Sequence, residues 1–202
     1  MLGRILAGLV AIALNGSALA DTMDMTGMQP HERCASCHGL DGNSRMSLFP
    51  RLAGQSAVYM KKQLADFRAG RRTNDEGGMS GIADTLSDAE IEAITVHFAA
   101  QAPGAIAGDP SGDAVLGRRI YMQGRPGLAA CISCHRATVR FASGAPFIDG
   151  QHASYLQKQL LDFKRGARRN DPEGVMRRIA TVLEDAEIRA VAAFVSSSST
   201  LP

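Results

Sequence analysis

The residues best equipped for chemistry are two pentapeptides of one design, Cys34-Ala-Ser-Cys37-His38 and Cys131-Ile-Ser-Cys134-His135, which together use all four cysteines. A Cys-x-x-Cys pair can form a disulfide, act as a redox dithiol, or attach a c-type haem. Only the last has a use for the histidine. Helical positions i, i+3 and i+4 share one face, so two thiols can bond the two vinyl groups of a porphyrin while the imidazole reaches its iron from the same side. The disulfide and dithiol readings do not require the histidine, and neither sits naturally in an all-helical repeat. The pattern favours two haem c groups, attached through Cys34, Cys37, Cys131 and Cys134, with His38 and His135 as axial ligands.

A second axial ligand follows from register. Met79 lies 41 residues after His38, and Met176 lies 41 residues after His135, despite insertions and deletions between them. Thioether opposite imidazole raises the reduction potential relative to two imidazoles. The competing reading is a gap-filling core methionine, which suits Met46, Met60 and Met122, none of which faces a methionine in the other copy. Met23, Met25 and Met28 are read as surface residues or a cover over the first haem. His97 and His152 are read as ordinary histidines, because Phe194 and Ser56 hold their places in the other copy; His31, close to Cys34, has no assignment.

The elements that must position these groups are written twice. Residues 52–75 align with 148–171 at an offset of 96, with 13 of 24 positions identical, including Gln55/Gln151, Tyr59/Tyr155, Gln63/Gln159, Phe67/Phe163 and Asn74-Asp75/Asn170-Asp171. An extra residue at Pro172 moves the offset to 97, aligning Met79 with Met176 and Leu86 with Leu183. No stretch shows sustained strand alternation, and both copies read as helical. A helix is expected over 58–68, stopped by Gly70. A second carries Ile91, Ile94 and Phe98 behind the capping-box sequence Ser87-Asp88-Ala89-Glu90. Its counterpart carries Ile188, Val191 and Val195, with the weaker cap Glu184. Residues 196–199 are expected to fray. The Gly- and Pro-containing stretch at 103–112 reads as a linker between domains at 21–102 and 113–202.

At the N-terminus, Arg4, an apolar run over 5–14, the breakers Asn15 to Ser17 and the small residues Ala18-Leu19-Ala20 have the layout of a secretory signal peptide over 1–20. A retained anchor is the alternative, although the run is short for a membrane span. Either leaves the folded part outside the cytoplasm, in the periplasm. Elsewhere no tract of about 18 apolar residues occurs. A net charge of +2 gives no sign of nucleic-acid binding. Tryptophan is absent and aromatic residues make up only 5%, so something else is expected to fill the interior.

The chain resembles the cytochrome c4 family of exported dihaem electron carriers. The likeness rests on Cys34-x-x-Cys37-His38-Gly39-x-Asp41-Gly42-Asn43-Ser44, Phe49-Pro50-x-Leu52-x-Gly54-Gln55, Tyr59-x-x-x-Gln63-Leu64-x-x-Phe67-x-x-Gly70-x-Arg72-x-Asn74-Asp75, and Met79 followed by Leu86-Ser87-Asp88. It implies an all-α fold of two tandem class I cytochrome c domains, each wrapped around one covalently attached haem. His38 and Met79 would bind the first iron, His135 and Met176 the second, with the haems close enough for rapid internal transfer. Two departures stand out. The first copy has little chain before Cys34, so its N-terminal helix is expected to be short or missing. After His135, residues 136–140 replace the Gly-x-Asp-Gly-Asn-Ser stretch.

An iron with both axial positions filled by protein offers no site to a substrate, so outer-sphere electron transfer is the expected chemistry. Residues 21–102 carry 8 Lys/Arg against 11 Asp/Glu, whereas residues 103–202 carry 13 against 9. Lys164, Arg165, Arg168, Arg169, Arg177 and Arg178 supply much of the positive side, as a docking face for an acidic redox partner or anionic membrane, a solvated face, or partners of haem propionates. The leading function is a soluble or peripherally membrane-associated shuttle delivering electrons to a terminal oxidase, supplied by a quinol-oxidising complex or dehydrogenase. A permanent cytochrome subunit or dedicated electron acceptor of an exported dehydrogenase is the alternative. A dihaem enzyme such as a peroxidase is disfavoured by the two methionines.

Overall fold

The computed structural model describes residues 27–104, 112–135 and 144–198. The expected leader, Met23, Met25, most of the linker and the 136–140 segment lie outside the described residues. Regular structure among those residues is helical, apart from one isolated bridge between Arg125 and Leu128. A 3-10 turn, Pro30–Cys34, runs into α1 (Ala35–His38), followed by α2 (Ala57–Arg68), α3 (Gly78–Asp84) and α4 (Asp88–Ala100). The second copy comprises α5 (Ala114–Gln123), α6 (Ile132–His135), α7 (Ala153–Arg165), a 3-10 turn at Pro172–Gly174, α8 (Val175–Thr181) and α9 (Asp185–Ser196).

Each copy gathers its own core. In the first, Met60, Leu64 and Phe67 of α2 recur at helical spacing and meet Ala83 of α3, Leu86, and the Ile91, Ile94 and Phe98 face of α4. In the second, Ile120 and Tyr121 of α5 and Leu156 of α7 pack on Ile188, Val191, Ala192 and Val195 of α9. Ser87 caps α4 as its sequence indicates: its Oγ accepts the Glu90 amide (3.3 Å) and its own amide donates to the Glu90 carboxylate (2.7 Å). In α9 the weaker cap still closes, the Glu184 amide donating to Glu187 at 2.9 Å.

Three local expectations change. Residues 196–198 do not fray: Ser196 is buried and its hydroxyl donates to the Ala193 carbonyl, while Ser198 donates to that of Phe194. Arg168, counted with the positive side from sequence, is buried between the domains. The first copy opens on the 3-10 turn where the second has α5. Gly117 allows α5 to lie against α9, since a Cβ there would stand 2.0 Å from the Ala190 carbonyl oxygen. In the first copy the 3-10 turn docks on α4 instead, through Arg33–Glu90 (3.0 Å) and a stack of His31 on His97 with centroids 3.6 Å apart.

The domains meet through reciprocal polar bonds. Gln151 accepts the Arg51 amide (2.9 Å) and donates to the Arg51 carbonyl (3.0 Å); Gln55 accepts the Phe147 amide (2.9 Å) and donates to its carbonyl (2.8 Å). Arg72 donates to Gln63 of its own domain (2.9 Å) and across to Tyr155 and Gln159 (both 3.2 Å). Arg168 repeats this toward Gln159 (2.7 Å), Tyr59 and Gln63 (both 3.0 Å). Asn74 reaches Asp162 at 2.6 Å, and Asn170 reaches Asp66 at 2.7 Å. A surface that meets its own copy about a two-fold needs the same side chains on both faces. That requirement explains why identity concentrates in 52–75 and 148–171.

Two bonds lack a symmetric counterpart among the described residues. His152 Nε2 lies 3.0 Å from the Ser44 carbonyl, and Ser154 donates to that of Ser47 at 3.1 Å, so the start of α7 holds the loop after His38. Gln151→Ala strips the buried Arg51 amide and carbonyl of their partner; we expect a loss of about 2–4 kcal/mol in denaturant unfolding of the haem-loaded protein. Burial holds the His152 imidazole below its ordinary 6.5, and the Arg51 charge acts in the same direction, outweighing the opposing bond to Ser44. Folding therefore favours the neutral ring. Its contribution is complete above about 6.5 and is lost as pH falls through the depressed folded value. His152→Gln is expected to flatten this acid-side loss, measured as unfolding midpoint against pH beside the parent protein.

Candidate haem-binding sites

Each Cys-x-x-Cys-His motif sits on one turn of chain. Cys34 ends the first 3-10 turn and Cys37 and His38 complete α1; Cys131 precedes α6, which carries Cys134 and His135. The His135 amide donates to the Cys131 carbonyl at 3.0 Å, closing that turn. Thiols and imidazole thus share the face that i, i+3, i+4 spacing dictates.

The two histidines are held alike. His38 Nδ1 lies 2.8 Å from the Pro50 carbonyl, and His135 Nδ1 lies 2.9 Å from the Pro146 carbonyl. Since a carbonyl only accepts, Nδ1 carries the proton and Nε2 carries the lone pair, the arrangement of a metal-binding imidazole fixed by an outer partner. Burial pushes both rings below the ordinary imidazole range, against the carbonyl bonds, which act to raise them. Burial likewise pushes Cys34 up to about 11, despite the opposing charge of Arg33, and Cys131 up to about 11. Reactive dithiols are marked by lowered values, so the dithiol reading gains nothing here. A neutral imidazole with its Nε2 lone pair directed away from the backbone, beside two thiols on one face, is a donor set that fits haem c in both domains.

Met79 is half-buried at the second position of α3 and packs against the same apolar cluster as Cys34 and Leu52. Met176 takes the equivalent position in α8 and is also half-buried. The chain enters each methionine helix by the same contortion. Glu76 (φ 56°) and Gly77 (φ 87°) precede α3 in the left-handed region, and Glu173 (φ 53°) and Gly174 (φ 70°) precede α8. For glutamate this conformation costs roughly 1–2 kcal/mol, yet it occurs twice. Asp75 accepts the Ser80 amide at 2.8 Å, and Asp171 accepts the Arg177 amide at 3.0 Å. Burial acts to raise the Asp75 carboxyl, but bonds from the Ser80 and Gly77 amides outweigh it and leave it below the usual range.

His97 and His152 are engaged elsewhere, His97 against His31 and His152 against Ser44. Sequence reasoning gave no role to Asp75, Asp171 or the interdomain residues Gln63, Arg72 and Gln159. Their identity in both copies was the available signal, but identity alone does not distinguish a ligand shell from an interface.

The cytochrome c family profile matches residues 13–98 and 114–199. Cytochrome c4 of Azotobacter vinelandii is 35% identical over 199 residues, covering 93% of this chain and 94% of that protein. A thiosulfate dehydrogenase electron acceptor of Stutzerimonas stutzeri (strain A1501) is 37% identical over 167 residues, covering 80% of this chain and 76% of that protein. The crystal structure of reduced recombinant cytochrome c4 from Pseudomonas stutzeri has a TM-score of 0.74 at 36% identity, covering 82% of this chain and 93% of that one. With the same motif set in two helical domains, the chain belongs to the cytochrome c4 family: a dihaem electron-transfer protein, not an enzyme, with one covalently bound haem c per domain.

Proposed function

We propose that Cys34 and Cys37 attach the first haem and Cys131 and Cys134 the second, with His38 and Met79 on the first iron and His135 and Met176 on the second. The domains run over 21–102 and 113–202, behind a signal peptide at 1–20 that directs the chain to the periplasm. The observation that carries the ligand assignment is the paired histidine geometry, Nδ1 on a proline carbonyl in both copies. Bound haem supplies reversible one-electron chemistry. The chain's own residues do the rest. His38 and His135 present a fixed nitrogen, the methionines fill the opposite position, and the apolar clusters keep water away. The reciprocal Gln55/Gln151 and Arg72/Arg168 bonds hold the domains in one arrangement for transfer between them.

The partner reading is a periplasmic shuttle that delivers electrons to a terminal oxidase. A second reading, dedicated acceptor for an exported dehydrogenase acting on sulfur compounds, draws support from the thiosulfate dehydrogenase electron acceptor that this chain is similar to. Among the described residues no helix is long and apolar enough to cross a membrane, which suits either role. The docking face is narrower than the sequence charge count implies. Arg168 is buried, Arg177 pairs with Asp171 at 2.9 Å and Lys164 with Asp185 at 2.8 Å. Arg165, Arg169 and Arg178, together with Arg118, Arg119 and Arg189, remain exposed on the second domain.

An acidic partner would feel this face at long range, so its transfer rate is expected to fall steeply with rising ionic strength. A rate independent of salt in stopped-flow measurements would contradict docking by charge. Met79→Ala and Met176→Ala are each expected to open one iron to carbon monoxide and to lower the potential of that haem alone. A spectrum unchanged in both variants would overturn the ligand assignment.

A further inference from the structure

The turn that leads into each methionine helix is built the same way in both domains, although the two sequences differ in length there. Pro172 adds a residue between Asp171 and Glu173 that the first copy lacks. The carboxylate therefore reaches five residues ahead in the first domain, Asp75 to Ser80, and six in the second, Asp171 to Arg177. In both it ends on one specific amide, that of the residue directly after the methionine. The left-handed glutamate and glycine recur between them, absorbing the difference in length. A bond that survives an insertion by changing its sequence separation points to a requirement at its end point rather than a habit of local sequence.

We propose that Asp75 and Asp171 are positioning residues for the axial thioethers. By holding the amide after Met79 or Met176, each fixes that methionine's backbone and offsets the cost of the left-handed residue before it. The supports differ beyond the shared bond. Asp75 also faces the Ser80 hydroxyl (3.2–3.3 Å), whereas Asp171 is closed off by the Arg177 guanidinium, 2.9 Å away, and its side chain is 2% exposed. Neither aspartate touches the iron; each acts through a methionine. The inference rests on the assignment of Met79 and Met176 as ligands.

The test uses the full haem-loaded protein and imidazole as a competing ligand. Asp75→Ala is expected to speed imidazole binding at one haem by about tenfold or more, the effect of losing a hydrogen bond to a charged group. It should also weaken the sulfur-to-iron charge-transfer band by up to half and lower that haem's potential, with the other haem unchanged as the internal control. Asp171→Ala should do the same at the other haem. Asp75→Asn and Asp171→Asn keep an acceptor oxygen without the charge and should fall between variant and parent. If an alanine variant does not accumulate, the asparagine variant decides. Imidazole rates, band and potentials matching the parent in these variants, while Met79→Ala and Met176→Ala do open their irons, would overturn the positioning role alone. Methionine variants that stay closed would overturn the ligand assignment and this inference with it.

Discussion

A buried imidazole with one nitrogen committed to a backbone carbonyl is the constraint from which the rest of each domain follows. Pro50 and Pro146 lie past the loops that follow the Cys-x-x-Cys-His turns, and their carbonyls set the histidine tautomer before any cofactor arrives. Proline donates no amide hydrogen and holds its own φ near −65°, so the carbonyl is presented from a stiff piece of chain. The thiols are then on the same face by helical spacing alone. What remains is to close the opposite side, and each copy does so with a short helix that begins immediately before its methionine.

The second organising feature is self-complementarity. Gln63 and Gln159 each accept from both arginines, Arg72 and Arg168, and each arginine also lies over a phenylalanine of its own domain, Phe67 at 4.4 Å and Phe163 at 4.6 Å. Two guanidinium charges are thereby buried among amides, phenols and ring faces. Such an arrangement tolerates little change on one side without a matching change on the other. The haem supports and the domain contact share α2 and α7, so one helix in each copy serves both the core and the interface.

Much of this was legible in the sequence, and the limits are instructive. Cys-x-x-Cys-His spacing, the repeated methionine register and the α4 capping box are local patterns whose chemistry is decided within a few residues, and their elements appear where expected. The reciprocal interface was visible only as identity between copies. Nothing in Gln55 or Arg72 alone says that its partner lies on the other domain. Arg168 illustrates the difficulty: among neighbouring arginines it reads as surface charge, and only the approach of Tyr59 and Gln63 buries it. Ser196 and Ser198 misled in the opposite sense, since polar residues at a chain end usually fray, but here their hydroxyls close back on the α9 carbonyls. The second-copy aspartate bond was hidden by an insertion that only three-dimensional folding absorbs.

The most direct test of the ligand geometry is near-infrared magnetic circular dichroism of the oxidised, full-length protein. The position of the charge-transfer band separates imidazole–thioether from bis-imidazole ligation for each low-spin haem. The account predicts that both haems fall in the imidazole–thioether range. A bis-imidazole band, or a high-spin signal from either haem in the untreated protein, would contradict it.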